Sequence, residues 1–213
     1  MNKVIENAKE YVFKFFQNQE GSHDYDHTMR VYKMAKYIAS FENANMEIVI
    51  LAALLPDVDD YKVSPETYHN MTNAKQFLYD NSVDENTVQQ ICDIIKDVAF
   101  KGRDTKTPST IEGKIVQDAD RLDALGAVGI ARAFTYGGNK NRILYDKDIL
   151  PNLDMKEEEY RNHVSTTINH FYEKLFKLKD LMNTLTAKKL AESRDKYMRE
   201  YIDRFKKEWE GLI

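Results

Sequence analysis

Three short stretches carry side chains able to do metal or phosphate chemistry. They are Ser22-His23-Asp24-Tyr25-Asp26-His27, Leu55-Pro56-Asp57-Val58-Asp59-Asp60 and Gln117-Asp118-Ala119-Asp120-Arg121-Leu122-Asp123. His23 and His27 are four residues apart and share a face once a helix has begun, and Asp120 and Asp123, three apart, are also neighbours on a helix surface. Carboxylates among apolar helical residues are costly unless they are paired, hydrogen-bonded or bound to a cation. Imidazole with several carboxylates suits a divalent ion such as Mn²⁺, Fe²⁺, Co²⁺ or Zn²⁺. Such an ion can supply a nucleophilic water near neutral pH and polarise a phosphoryl oxygen. Each stretch also has a structural reading. Asp24 is a favoured helix N-cap residue, Asp57–Asp60 makes a solvated helix end, and Asp120, Arg121 and Asp123 can form an internal ion-pair ladder. The presence of all three in one chain of 213 residues favours the chemical reading.

Helices must position these groups, because helical periodicity runs through almost the whole chain. Val4, Ala8, Tyr11, Val12 and Phe15 predict a first helix ending near Gly21, and Val31, Met34, Ala35 and Ile38 a second from about Asp24 to Phe41. The third, Asn45 to about Asp60, is apolar nearly all round over Ile48–Leu55, the pattern of a central buried helix. Two more are expected near Asn70–Asp80 and from Asp84 to Val98. A sixth, Gly113 to about Phe134, is rich in small residues that permit close backbone approach. Two long C-terminal helices follow, the first carrying Val164, Ile168, Phe171, Leu175 and Leu178, the second Tyr197, Tyr201, Phe205 and Trp209. The expected fold is all-α: a single compact helical domain, core about 20–135, with a C-terminal helical pair at about 154–211 packed on it.

Composition limits the function classes. A formal charge of −4, from 31 basic and 35 acidic residues, leaves no nucleic-acid footprint. No apolar run approaches the ~20 residues of a membrane helix. The amphipathic, charged N-terminus lacks the core of a signal peptide. One cysteine, Cys92, cannot form an internal disulfide and reads as buried packing. A cytoplasmic protein is expected. The aromatic stripe of the last helix reads as core, with homo-oligomer formation through it as the alternative. Gly137–Arg142 could wrap a phosphate or be an ordinary connecting loop, and Lys101-Gly102-Arg103 could form a pocket lip.

The residues around these stretches make the chain similar to the HD-domain metal-dependent phosphohydrolase superfamily. That family places a His on one helix, an adjacent His-Asp pair on the next central helix, and a distant Asp in an Ala-Asp-Arg context. Here stand His27 followed by Arg30-Val31, the Leu-Leu-Xaa-Asp step ending at Asp57, and Asp120 within Asp118–Asp123. The run EGKIVQDADRLDALGAVGIARAFTYGG resembles small bacterial HD-domain phosphohydrolases, and the likeness extends over most of the chain. The resemblance implies an HD-type bundle in which His27, Asp57 and Asp120 are metal ligands and Asp60 orients water or serves as general acid/base. It also implies that Lys62 and Arg121 face substrate phosphate, while His23 and Asp24 either support the ligands from behind or belong to the pocket wall.

Pro56 departs from the family pattern. It stands where the His of the His-Asp pair is expected and has neither an imidazole nor a backbone N–H. Late in a helix it should remove the bond to the Ala52 carbonyl and bend the chain, at about 3 kcal/mol if truly interior. One His and two carboxylates can still hold an ion, with preference moving from Co, Ni, Fe or Zn toward Mn or Mg, and His23 and His69 are the candidates to fill the gap. Two functions follow: a hydrolase of a nucleotide or another phosphate ester or anhydride, or a catalytically degenerate relative that binds such a ligand without turnover.

Overall fold

Most helices in this protein start or stop where a specific side chain or backbone conformation dictates. The computed structural model describes residues 2–17, 24–61, 63–98, 105–155, 158–159 and 163–213. The all-α expectation holds, with no strand among the described residues. The chain falls into two compact units, Met1–Ala99 with Lys106–Asp120, and Phe100–Thr105 with Arg121–Ile213. No described helix is long and apolar enough to cross a membrane.

The first unit contains α1 (Asn2–Phe16), α2 (Tyr25–Ala39), α3 (Met46–Leu54), α4 (Thr72–Asp80), α5 (Glu85–Val98) and most of α6 (Ile111–Asp123). Its centre is α3, against which α1, α2 and α5 pack. Ile48 through Leu55 are all buried, as continuous apolarity predicts. Asn45 caps α3 by accepting from the Glu47 and Ile48 amides, and its own N–H donates to Glu112 Oε1 at 2.8 Å. Each fully buried Leu or Ile contributes about 1.5–3 kcal/mol, so α3 supplies much of the unit's stability. Cys92 is buried on α5 as expected, and burial pushes its thiol up from the usual range.

The expected third helix is shorter than its pattern suggested. It ends at Leu54, and Pro56 opens a separate 3-10 turn, Pro56–Asp59. Proline at the first position of a helical turn gives up an N–H that had no partner there in any case. The interior-proline penalty expected above is therefore avoided.

The second unit contains α7 (Gly126–Asn139), α8 (Thr167–His170) and α10 (Leu185–Trp209), with a run of irregular turns between the last two. The expected sixth helix is in fact two. Leu125 is extended (φ −113°, ψ 158°) and Gly126 has φ +74°, so the chain turns sharply between α6 and α7. A Cβ on Gly129 would lie 2.2 Å from the Ala124 carbonyl oxygen, so the small residues serve this corner. The penultimate helix is also irregular. After α8 come a π-helical turn (Phe171–Leu175), α9 (Phe176–Leu178) and a 3-10 turn (Lys179–Leu181). Val164 lies outside it and is 83% exposed, whereas Ile168, Phe171, Leu175 and Leu178 are buried. On α10 the buried side is Ala187, Ala191, Met198 and Ile202, with Tyr197 and Trp209 each 51% exposed. The aromatic stripe is thus a margin packed on Phe134 and Tyr145 rather than the core, because the smaller residues fit the close approach to α7.

Gly137–Arg142 proves to be a helix end. Asn141 (φ +52°) donates to the Gly138 carbonyl and Arg142 to the Gly137 carbonyl, a left-handed C-terminal cap. The same pattern closes α4 at Ser82 and α10 at Gly211.

Gly129→Ala should lower stability by roughly 1–3 kcal/mol, seen as a lower denaturant midpoint, because the added methyl meets backbone rather than a movable side chain. Iodoacetamide should label Cys92 in the unfolded chain and leave it largely unreacted in the native one, because burial keeps the thiol protonated.

Candidate metal centre

The site begins with the cap of α2. Asp24 is extended, and its Oδ1 accepts the His27 amide at 2.7 Å. This bond holds the backbone of His27 in the first turn, and the ring enters the protein interior with 2% of the residue exposed. Asp24, expected either behind the ligands or in the pocket wall, caps α2, holds the histidine's backbone and fixes where its ring begins.

The 3-10 turn delivers the second group. Leu55 is fully buried at the end of α3, and Pro56 then tightens the chain so that Asp57 points back at α2. Asp57 Oδ2 lies 3.5 Å from His27 Nε2. Thr28, buried beside His27, places its Oγ1 3.4 Å from the same oxygen and 3.3 Å from the Asp24 carbonyl. Sequence reasoning passed over Thr28, although its place next to His27 on a buried helix face was the available signal.

The third group comes from α6. Gln117 is fully buried, and its amide donates to the carbonyls of Asp97 and Lys106 at 2.8 and 2.9 Å. Those bonds tie α6 to the ends of the neighbouring segments. One turn later Asp120 Oδ1 stands 3.5 Å from His27 Nε2. The side chains of His27, Asp57 and Asp120 are 3%, 13% and 34% exposed, a gradient from core to surface.

The arrangement gathers one imidazole nitrogen and two carboxylate oxygens from three helical elements. A neutral imidazole can donate from Nε2 to only one of the two carboxylates at a time, and two nearby anions repel unless a proton or cation lies between them. Donors sharing an ion at bond lengths near 2.1 Å lie roughly 3.0–3.5 Å apart, which the two nitrogen–oxygen separations match. Among the described residues, no group of three or more His, Cys, Asp and Glu is drawn together closely enough to hold a metal ion as it stands. The donor types, one imidazole and two carboxylates, suit a divalent ion.

The other expected residues divide. Asp60 is half-buried and closes the turn, its N–H donating to the Asp57 carbonyl at 3.3 Å. Arg121 is 4% exposed and donates to the Leu181 carbonyl. Asp123 is buried and paired with Arg132, the structural role considered for this stretch. His69 is exposed against Tyr68. His23, Lys62 and the Lys101-Gly102-Arg103 stretch lie outside the described residues.

Asp59 belongs to the framework. It is 2% exposed, and its two oxygens accept the Asn73 and Ala74 amides at 3.1 and 2.8 Å. Asn73 returns a bond to the Val58 carbonyl at 2.8 Å. The carboxylate thus caps α4 from a distance and locks the turn that bears Asp57. Burial first, and the Asp59 charge second, push the Tyr11 phenol above its ordinary value. Asp59→Ala should destabilise the protein by about 1–3 kcal/mol through the buried Ala74 amide and the half-buried Asn73 amide left unpaired, measurable by denaturant unfolding.

The HD domain family model matches residues 24–125, a span that includes all three groups. YpgQ of Bacillus subtilis is 35% identical over 212 residues, covering 99% of this chain and 96% of its own. A crystal structure of that protein in complex with ADP is similar at a TM-score of 0.76, with 36% identity over 96% of this chain and 97% of that one. A protein from Lactobacillus plantarum reaches a TM-score of 0.88 at 38% identity, covering 99% of this chain and 98% of its own. An HD-superfamily hydrolase from Bacillus thuringiensis is 40% identical at a TM-score of 0.77, over 98% of each chain.

Proposed function

Because the chain belongs to the HD-domain family, we propose that it is a metal-dependent phosphohydrolase acting on a nucleotide, with His27, Asp57 and Asp120 holding the ion. The observation that carries this reading is the approach of His27 Nε2 to both carboxylates at 3.5 Å. Similarity to an HD-superfamily hydrolase and to a protein crystallised with ADP supports the reaction class and the ligand.

When bound, a divalent ion would activate water and polarise a phosphoryl oxygen. The chain's own residues orient and balance. Asp24 and Thr28 hold His27 and Asp57 in register. Asp60, one 3-10 turn beyond Asp57, is assigned the general acid/base role, passing a proton between attacking water and leaving oxygen. His23 and Lys62 are assigned to the phosphate. Arg121 remains a phosphate partner in this reading, with its bond to Leu181 as a second, structural role. Pro56 leaves the histidine position of the family pattern without a donor, so an ion would be held by fewer protein groups, which would favour Mn²⁺ or Mg²⁺ over thiophilic or nitrogen-preferring ions.

Pro56 also favours a second reading, a relative that binds the nucleotide without turnover. Phosphate release from nucleoside tri-, di- and monophosphates with Mn²⁺, Mg²⁺, Co²⁺ or Ni²⁺ separates the two. Turnover is expected with Mn²⁺, and Asp57→Asn or Asp120→Asn should reduce it at least as much as the roughly 10–100-fold typical of weakened metal support. Pro56→His should raise metal affinity. No release under any ion, with turnover appearing in Pro56→His, would establish the degenerate reading instead.

A further inference from the structure

The turn that supplies Asp57 continues directly into a ladder of aromatic rings that the proposed chemistry does not use. Tyr61 is 54% exposed. Its ring meets Tyr68 edge to face at 5.8 Å between centroids, and Tyr68 meets His69 in the same manner at 5.2 Å. The three rings form a stepped surface in the first unit, with Tyr68 half-buried and Tyr61 and His69 exposed.

This surface is built rather than incidental. The Asp60 carbonyl accepts the Val63 and Ser64 amides at 2.9 and 2.8 Å, and the buried Ser64 carbonyl accepts the Thr67 and Tyr68 amides, each at 3.1 Å. Asn73, which also grips the Val58 carbonyl, reaches Thr67 Oγ1 at 3.1 Å. One bonded framework therefore runs from the Asp57 turn through Asp59 and Asn73 to the ring-bearing loop. Tyr61 follows Asp57 by four residues, so their backbones are at most about 14 Å apart. That span is within the reach of a nucleoside's sugar and phosphates.

We propose that Tyr61, backed by Tyr68, is the stacking platform for the base of the nucleotide whose phosphates meet the His27–Asp57–Asp120 site. This rests on the phosphohydrolase reading and adds the base contact to it. Every nucleobase has a flat π-face, so a platform of this kind binds purines and pyrimidines alike and grips the larger purine more firmly. The framework also gives the phosphate and base contacts a shared mount, since Asp59 and Asn73 tie both ends to the start of α4.

The test compares binding of ADP and of inorganic pyrophosphate, each with Mn²⁺, by calorimetry on the full chain. The variants are Tyr61→Ala and Tyr61→Phe. The platform predicts that Tyr61→Ala weakens ADP about tenfold, one stacked base's worth, while leaving pyrophosphate affinity as in wild type. Tyr61→Phe, which keeps the ring, should retain ADP affinity. Saturation transfer from protein to the adenine protons should fall in Tyr61→Ala. Equal ADP affinity in wild type and Tyr61→Ala would overturn the platform while leaving the phosphate site standing. Failure of wild type to bind either ligand would overturn the nucleotide reading itself, and the platform with it. An equal loss for both ligands would show that Tyr61 only shapes the turn, and would also overturn the platform.

Discussion

The rest of the structure is organised around one electrostatic demand: a buried imidazole nitrogen faces two carboxylates at 3.5 Å. Three electron-pair donors in an apolar setting repel or orphan one another unless a proton or cation joins them. A chain that only had to fold would gain little from this arrangement, because apolar residues of similar volume serve as well or better. The cost is met by framework bonds that aim the groups. Asp24 holds the His27 backbone, Asp59 and Asn73 lock the Asp57 turn, and Gln117 fixes α6 one turn ahead of Asp120. Each bond uses a polar group that would otherwise be an uncompensated helix terminus or loop carbonyl.

Pro56 takes on a different meaning beside this demand. As part of a long helix it would be a defect. In place, it starts the short turn that redirects the chain from fully buried Leu55 to the half-buried Asp57. Losing a donor atom at this position and setting the direction of the next residue are consequences of one ring. In the proposed phosphohydrolase, one fewer protein donor would leave coordination positions to water and phosphate.

Much of this could be read in the chain itself. Apolar periodicity located α1 to α5, and the apolar run Ile48–Leu55 marked the centre of its unit correctly. The residues around His27, Asp57 and Asp120 identified three groups that the fold does bring together. The misreadings share a cause: periodicity reports which residues are buried and not where the backbone turns. The corner at Gly126 is set by a positive φ and a close approach to Ala124, which apolar spacing does not register. The π-helical turn at Phe171–Leu175 keeps the same buried stripe while adding a residue to the turn. Asp59 looked like one more acid in a cluster, since only the tertiary fold brings the amides of α4 to it.

The proposed function turns on whether His27, Asp57 and Asp120 together hold a divalent ion. Titration of Mn²⁺ into the full chain, with free Mn²⁺ followed by electron paramagnetic resonance, tests it without recourse to turnover. The account predicts saturable binding of one ion per chain that His27→Gln abolishes or weakens by more than about tenfold. Saturable binding that His27→Gln leaves unchanged, or no binding in the wild-type protein, would contradict it.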